Sequence, residues 1–227
     1  EGQILEAVIP AKDWQRVARF LRNDEELQFD YLVSLIGMDW GETLGCVYYF
    51  DSTVHHHQVS VKVETSDKEN PLIYSVSDIW AVAYLYEREV FDFYGIRFIN
   101  HPDMRRLFLR NDWVGYPLRK DYVINPEVNP VRLENEEADD TAPSIVENIG
   151  PQHPATHGVL RLRTSLEGEN VKKIDVYCGY IHRGIEKLCE SLTYPQTLHF
   201  ADRLDYLSAQ QNRHAICLCV EDALQIE

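Results

Sequence analysis

The sequence of 227 residues contains no uninterrupted apolar stretch near the roughly 18 residues that cross a bilayer. Its first residues lack the basic, apolar and small-residue segments of a signal peptide. It also lacks a glycine-rich loop of the dinucleotide-binding type. We therefore predict no membrane-spanning helix and no dinucleotide site in this chain, and we expect any membrane association to come through partners.

Basic residues are scarce. The chain has 22 lysines and arginines against 37 acidic residues, which gives a formal net charge of -15. Such a charge repels nucleic acids and anionic lipid headgroups at long range, so we predict no nucleic-acid partner. Since 44% of the residues are hydrophobic, the chain can build folded domains and is not disordered throughout.

Cysteine is sparse as well. The five cysteines are odd in number and have neither zinc nor iron-sulfur spacing, which predicts reduced thiols: Cys46, Cys178, Cys189, Cys217 and Cys219. The run His55, His56 and His57 cannot converge on one metal ion if it is a strand, because successive side chains point to opposite faces. We interpret it as a polar strand edge or loop, and we predict no metal site.

Residues 1–124 are predicted to form a mixed α and β domain. Strands are expected over 44–50 and around 59–63, where valines alternate with polar residues. A helix is expected to begin at the N-cap Asp13 and to carry an apolar stripe of Trp14, Val17, Ala18 and Leu21. A second helix, capped by Ser77 or Asp78 and followed by Gly95, is indicated by Ile79, Val82, Ala83, Tyr86 and Val90.

Residues 125–147 break this pattern. They contain three prolines and seven acidic residues against the single Arg132, so we interpret them as an interdomain linker. Residues 148–227 then predict a second, truncated domain, in which a β-hairpin turns at 168–170 and leads into helices over 185–192 and 216–224. The predicted fold class is α+β. We expect the chain to be a fragment, because it begins at Glu1 without methionine and ends inside a predicted helix.

Two sets of motifs resemble known families. Residues 86–96 (YEREVFDFYGI), 101–107 (HPDMRRL) and 115–122 (GYPLRKDY) resemble the C-type subunit of respiratory complex I, the NADH:quinone oxidoreductase. Residues 153–158 (HPATHG), 182–184 (HRG) and 202–206 (DRLDY) resemble the start of its D-type subunit. The two segments follow the order found in fused C-D subunits. The resemblance implies that the second domain is like a hydrogenase large subunit in fold.

Imidazole and phenol groups can donate the protons that quinone reduction requires. The resemblance implies that His157 and Tyr206 face the quinone headgroup, with His153 beside them. It places Arg183, next to His182, beside the terminal iron-sulfur cluster of the B-type subunit. There a fixed positive charge would stabilise the reduced cluster. We assign Arg203, Asp202 and Asp205 to an ion-pair network that orients Tyr206.

Other groups leave alternatives open. Glu87 and Glu89 do not form a catalytic pair, because residues two apart on a helix do not face each other. A basic cluster is either a docking face for partner subunits or is paired within its domain with Asp92, Asp103 and Asp112. It consists of Arg105, Arg106, Arg110, Arg119 and Lys120.

The resemblance implies a peripheral subunit at the cytoplasmic face of the bacterial inner membrane. The implied partners are the B-type iron-sulfur subunit, the I-type ferredoxin-like subunit and the H-type membrane subunit, with FMN and the iron-sulfur clusters held by partners and quinone as substrate. We expect the fragment alone to be inactive. One alternative is the large subunit of a nickel-iron hydrogenase-like complex, although Asp205 and Ser208 stand where nickel needs thiolates. The other is a noncatalytic assembly scaffold.

Overall fold

The computed structural model describes residues 4–125, 127, 145–150, 152–153 and 158–226. Its packing divides the chain into two compact units, Glu1–Ile181 and His182–Glu227. The first unit combines β-sheets with two helices, and the second is helical. The predicted α+β class is confirmed.

A four-stranded sheet forms the centre of the first unit. It consists of β1 (Leu5–Pro10), β2 (Tyr31–Asp39), β3 (Leu44–Asp51) and β4 (Gln58–Thr65). In spatial order it runs β1-β4-β3-β2, with β1 parallel to β4 and the other neighbours antiparallel. Val59, Val61 and Val63 are buried on one face, which confirms the predicted alternation of β4.

Helix α1 (Trp14–Asn23) covers this buried face. Trp14 and Ala18 are fully buried, and Val17 and Leu21 pack against the same core, so the predicted apolar stripe is confirmed. The Trp14 ring lies 4.5 Å from that of Tyr48 on β3, centroid to centroid. Aromatic contacts of this kind stabilise the fold beyond the apolar area that they bury, and they fix the helix on the sheet.

Helix α2 (Ala83–Tyr94) is the second predicted helix, and it ends as expected at Gly95. Gly95 has φ +75°, a left-handed conformation that favours glycine at the end of a helix. Two short parallel strands flank α2 in sequence, β5 (Leu72–Tyr74) and β6 (Arg97–Ile99). Residues 100–125 contain turns but no further helix or strand.

Asp13 occupies the N-cap position of α1, as predicted, whereas the predicted cap of α2 at Ser77 or Asp78 is wrong. Asp13 is the last residue of a 3-10 turn. Its side chain makes no capping hydrogen bond, and its carboxylate lies 3.6 Å from Arg16 instead. Helix α2 begins several residues after Ser77 and Asp78, because turns come first. Ser77 hydrogen-bonds to a neighbouring serine, while Asp78 pairs with Arg19 at 2.6 Å. The carboxylates of Asp13 and Asp78 therefore pair with arginines at the surface and do not cap a helix.

The predicted hairpin is confirmed. It joins β10 (Arg161–Glu167) to β11 (Asn170–Tyr177), and β7 (Ile145–Ile149) pairs with β10. Together the strands β7, β10 and β11 form an antiparallel sheet in the order β11-β10-β7. Gly168 lies in the turn between the second and third of these strands with φ +63°. The first of them, β7, overlaps the last three residues of the predicted linker. The other linker residues lie almost wholly outside the described residues, so the linker stays a prediction.

The second unit contains three helices within residues 182–226. They are α3 (Ile185–Cys189), α4 (Tyr194–Leu204) and α5 (Ala209–Leu224). Helices α3 and α5 were predicted by their apolar spacing, and α4 was not. A capping box begins α4, since Thr193 and Gln196 each satisfy the other's backbone N–H. Within the described residues, no helix is both long enough and apolar enough to cross a membrane.

Candidate functional site

The predicted histidine motif falls partly outside the described residues. His153 ends strand β8 (Gln152–His153), which pairs with β9 (Gly158–Val159) in antiparallel register, His153 opposite Gly158. His157 belongs to the four residues between these strands, which lie outside the described part of the chain. Its role, and that of the His153 side chain, stay predictions.

His182 and Arg183 open the helical unit. They follow a 3-10 turn over Gly179–Ile181 and precede α3, whose N-cap Gly184 has φ +60°. Arg183 is exposed and His182 is half-buried. The structure therefore places both side chains in a connection between two elements, at the start of a helix as the sequence indicated.

Tyr206 lies in a short 3-10 turn between α4 and α5, and 67% of it is exposed. The Asp205 carboxylate accepts a hydrogen bond from the N–H of Leu207 at 3.1 Å. The Asp205 carbonyl accepts from the Asn212 side chain at 3.2 Å. Asp205 thus stabilises the turn that contains Tyr206. It does so by hydrogen bonds to a backbone N–H and to the Asn212 side chain, and not by an ion pair.

The rest of the predicted ion-pair network is wrong. Asp202 pairs with Arg213 of α5, whose Nε donates to it at 2.9 Å. Arg203 donates to the backbone carbonyl of His199, one helical turn earlier. The Asp202–Arg213 pair ties α4 to α5, the two helices that flank the Tyr206 turn.

Glu87 is a carboxyl group whose burial was not foreseen from the sequence. Its side chain is 0% exposed, and its carboxylate accepts from the Ser75 hydroxyl at 2.6 Å and the Val76 N–H at 2.7 Å. Burial raises the pKa of Glu87 to about 7, because removal from water disfavours the charged form. The signal was in the sequence, since Glu87 falls between Ala83 and Val90 on the core-facing stripe of α2.

Asp92, also fully buried on α2, organises a loop. Its carboxylate accepts from the N–H groups of Leu107, Phe108 and Leu109 at 3.0, 2.7 and 2.9 Å. It also pairs with the Arg106 guanidinium at 2.8 Å. Charge-assisted hydrogen bonds are stronger than neutral ones, so a single carboxylate fixes three consecutive peptide groups. We call residues 105–109 the clamped segment.

Arg88, one helical turn before Asp92 on α2, also binds the clamped segment. Its Nε donates to the carbonyl of Arg105 at 3.0 Å, and its guanidinium donates to that of Arg106 at 2.9 Å. Arg106 itself donates to the carbonyls of Trp113 and Gly115. Residues of the 86–96 motif therefore hold the 101–107 motif in place.

The basic cluster is paired within its own unit. Arg105 makes a two-point contact with Asp103 at 2.6 and 2.7 Å, and Arg110 lies 3.0 Å from Asp112. Arg106 is bound to Asp92, as described above. Of the two alternatives, the structure supports intradomain pairing for these three arginines.

A cavity of about 650 Å³ lies beside the clamped segment, within the first unit. One wall is formed by α2 and the clamped segment, and the other by strand β11 and the residue after it, including Ile174, Val176 and Cys178. Charged groups of opposite sign line it together, since Arg105 lies 3.8 Å from Asp175. The cavity therefore marks where the hairpin sheet meets the N-terminal domain.

The five cysteines are all free in the structure, and reduced thiols stay the prediction. Within the described part of the chain, no three His, Cys, Asp or Glu side chains are grouped so as to hold a metal ion. His55 and His57 lie in the loop between β3 and β4, where their Nε2 atoms contact the carbonyls of Glu25 and Leu27. The histidine run is thus a loop, one of the two structures expected.

The fold is that of an α+β protein in which two buried carboxyl groups on one helix, those of Glu87 and Asp92, organise neighbouring loops. Comparison with known proteins gives the particular family. The sequence model of one protein family, described as the respiratory-chain NADH dehydrogenase 30 Kd subunit, matches residues 7–128. The chain belongs to this family.

Several curated proteins are similar beyond that region. The C/D subunit of NADH-quinone oxidoreductase from Phocaeicola vulgatus is 56% identical over 241 residues, which cover 96% of this chain and 46% of the relative. The C/D subunit from Bacteroides fragilis is 55% identical, over 91% of this chain and 45% of the relative. The C subunit of the Chloroherpeton thalassium enzyme is 49% identical over 122 residues, covering 53% of this chain and 50% of the relative. The chain spans about half the length of these relatives, and the resemblance to C-type and fused C-D subunits is confirmed.

Proposed function

We propose that the chain forms the C-type domain and the first part of the D-type domain of an NADH:quinone oxidoreductase, and that it contributes groups to quinone reduction. The observation that carries this proposal is the similarity to a fused C/D subunit over 96% of the chain, across both sets of motifs. A C-type subunit alone would account only for the N-terminal half.

His157 and Tyr206 are the proposed proton donors to the quinone, with His153 beside the headgroup. Support for Tyr206 comes from its exposure and from the Asp205 hydrogen bonds that hold its turn. An exposed phenol on a fixed turn can reach a ligand without displacing core side chains. Imidazole and phenol both supply a proton to a reduced quinone oxygen by general acid catalysis.

Arg183 is proposed to act on electron transfer, with His182 beside it. An iron-sulfur cluster in a neighbouring subunit would supply the electrons that reduce the quinone. The guanidinium of Arg183 is exposed next to a short helix, so it is accessible to such a partner. A fixed positive charge there would favour the reduced cluster and raise its potential.

The proposed partners are the B-type iron-sulfur subunit, the I-type ferredoxin-like subunit and the H-type membrane subunit. FMN and the iron-sulfur clusters would belong to partner subunits, and quinone would be the substrate. The chain would lie at the cytoplasmic face of the bacterial inner membrane, attached through these partners.

The test replaces Tyr206 with phenylalanine in the full-length protein of the assembled complex. Turnover with a short-chain quinone should fall on the order of a hundredfold, while the amount of assembled complex stays constant. Tyr194→Phe is the matched control, because Tyr194 lies in the same unit and is 80% exposed. Equal activity of the two variants would contradict the proposed role of Tyr206, and loss of assembly in Tyr206→Phe would favour a scaffold.

A further inference from the structure

The clamped segment contacts the chain just before the predicted cluster-adjacent residues. The Sγ atom of Cys178 lies 3.7 Å from the Leu107 carbonyl, to which it donates a hydrogen bond. A Cβ atom added to Gly179 would stand 1.9 Å from the Phe108 carbonyl oxygen, far inside van der Waals contact. The backbone at Gly179 is therefore seated against the Phe108 peptide, and only glycine fits there.

This seat is fixed to the core of the N-terminal domain. The Phe108 ring stacks on that of Phe93, which is 3% exposed, with centroids 5.7 Å apart. The N–H of Phe108 is held by the buried Asp92 at 2.7 Å. The same residue whose carbonyl faces Gly179 is thus fixed by both its N–H and its ring.

A second contact joins the same two regions. Arg105 of the clamped segment lies 3.8 Å from Asp175 of β11, in addition to its pair with Asp103. The last residues of β11 and Cys178 to Gly179 therefore lie along one side of the clamped segment. These contacts are all inside the first unit.

From this seat the chain reaches Arg183 in four residues. Three residues, Gly179–Ile181, form a single 3-10 turn, so little free backbone separates the seat from His182 and Arg183. Fixing one end of so short a connection limits the positions open to its other end.

We propose that Asp92 and Gly179 are positioning residues for Arg183. Asp92 shapes the clamped segment, the clamped segment seats Gly179, and Gly179 anchors the turn that leads to Arg183. The C-type domain would then contribute to electron transfer by orienting a D-type residue, as well as by providing surface for assembly. This inference rests on the proposed function for the role of Arg183.

The test uses Gly179→Ala and Asp92→Asn in the full-length protein of the assembled complex. The first measurement is hydrogen exchange of the backbone amides over 180–184. We expect exchange to be about tenfold faster in both variants. A tenfold change corresponds to a loss of about 1.4 kcal/mol in the free energy of local opening. Glu42→Gln is the control, because Glu42 is an exposed residue between β2 and β3 and its replacement should leave 180–184 unchanged.

The second measurement is the midpoint potential of the terminal iron-sulfur cluster, which a purely structural role would not move. Both variants should shift it in the same direction as Arg183→Met, by a smaller amount. Unchanged exchange over 180–184 would overturn the inference, and so would faster exchange with an unchanged potential when Arg183→Met does shift it. If Asp92→Asn fails to assemble, Gly179→Ala decides, because it retains Asp92 and removes no core side chain.

Failure of the proposed function gives a different result. If Arg183→Met leaves the cluster potential unchanged, the proposed role of Arg183 is wrong. The exchange measurement then still decides whether Asp92 and Gly179 fix the connection.

Discussion

The Glu87 carboxylate lies 3.9 Å from the Nε2 atom of His101, and both side chains are fully buried. Below the pKa of Glu87, about 7, the two groups are neutral partners and not an ion pair. His101 Nε2 lies 3.0 Å from the Tyr84 carbonyl, to which it must donate, and its Nδ1 accepts from the Asp103 N–H at 3.0 Å. Burial lowers the pKa of His101 and raises the pKa of Glu87, so both shifts favour the uncharged forms.

The first prediction concerns the pH dependence of stability. The folded-state pKa of Glu87, about 7, lies above its ordinary value of 4.5. Its contribution to stability is therefore complete below pH 4.5 and is lost as the pH rises through 7. Replacing Glu87 with glutamine should remove about 1 kcal/mol of the fall in unfolding free energy between pH 6 and pH 8. Urea unfolding at several pH values measures this slope.

Glu42→Gln is the control for that experiment, since Glu42 is an exposed carboxylate between β2 and β3. It should retain the wild-type slope. A slope in Glu87→Gln equal to that of Glu42→Gln would show that Glu87 titrates like a surface group.

The second prediction compares two carboxylates that pair with arginine. Asp92→Ala should lower the unfolding free energy by about 3 to 5 kcal/mol, because it leaves a largely buried guanidinium without its charge partner and three peptide N–H groups without their acceptor. Asp112→Ala, which breaks the more exposed pair with Arg110, should cost at most about 1 kcal/mol. Urea midpoints of the two variants would be compared. Similar midpoints would contradict the clamping role of Asp92.

The third prediction separates His157 from Arg183 within the assembled complex. His157→Ala removes a proposed donor to the quinone, so turnover and quinone affinity should fall while the terminal cluster potential stays nearly constant. Arg183→Met removes a positive charge, so the cluster potential should become more negative. Redox titration and steady-state kinetics give the two readouts. The opposite pattern would require the two roles to be exchanged.

The fourth prediction concerns residues 125–147. Their acidic, proline-containing composition predicts that limited proteolysis cuts first within this range. Mass analysis of the earliest fragments would locate the cut. A first cut in the β3 to β4 region would show that the predicted domain boundary is wrong.

The fifth prediction addresses the hydrogenase alternative. Metal analysis of the purified chain should find no stoichiometric nickel, iron or zinc, since Asp205 engages its carboxylate in the Tyr206 turn. A stoichiometric metal that is lost on replacing Asp205 or Ser208 would support that alternative.

Regular periodicity made parts of the fold predictable. Helix α1, strand β4 and the β10–β11 hairpin have clean apolar spacing, and each was found where the sequence indicated. Strand β2 was missed because its register shifts between Leu32 and Ser34, which interrupts the alternation of buried and exposed residues. Helix α4 was missed because its short apolar pattern is weak, although Thr193 and Gln196 form a recognisable capping box.

The candidate site was predictable only in part. The sequence indicated a turn before a helix at Arg183, where the structure also places it, but the Tyr206 turn was not foreseen because α4 was missed. Nor could the motifs show that Asp92 reaches forward to the peptide groups of 107–109, since that contact depends on tertiary folding and a backbone N–H has no sequence signal. For the same reason the seat of Gly179 against Phe108 could not be foreseen.

The parallel pairing of β1 with β4 has a consequence for synthesis on the ribosome. Leu5 lies opposite Val59, so the first strand has no partner until the fourth has emerged from the exit tunnel. At translation rates of about 5 to 20 residues per second, the apolar strand β1 remains unpaired for several seconds. The nascent N-terminal domain therefore cannot complete its four-stranded sheet until residues 58–65 have emerged.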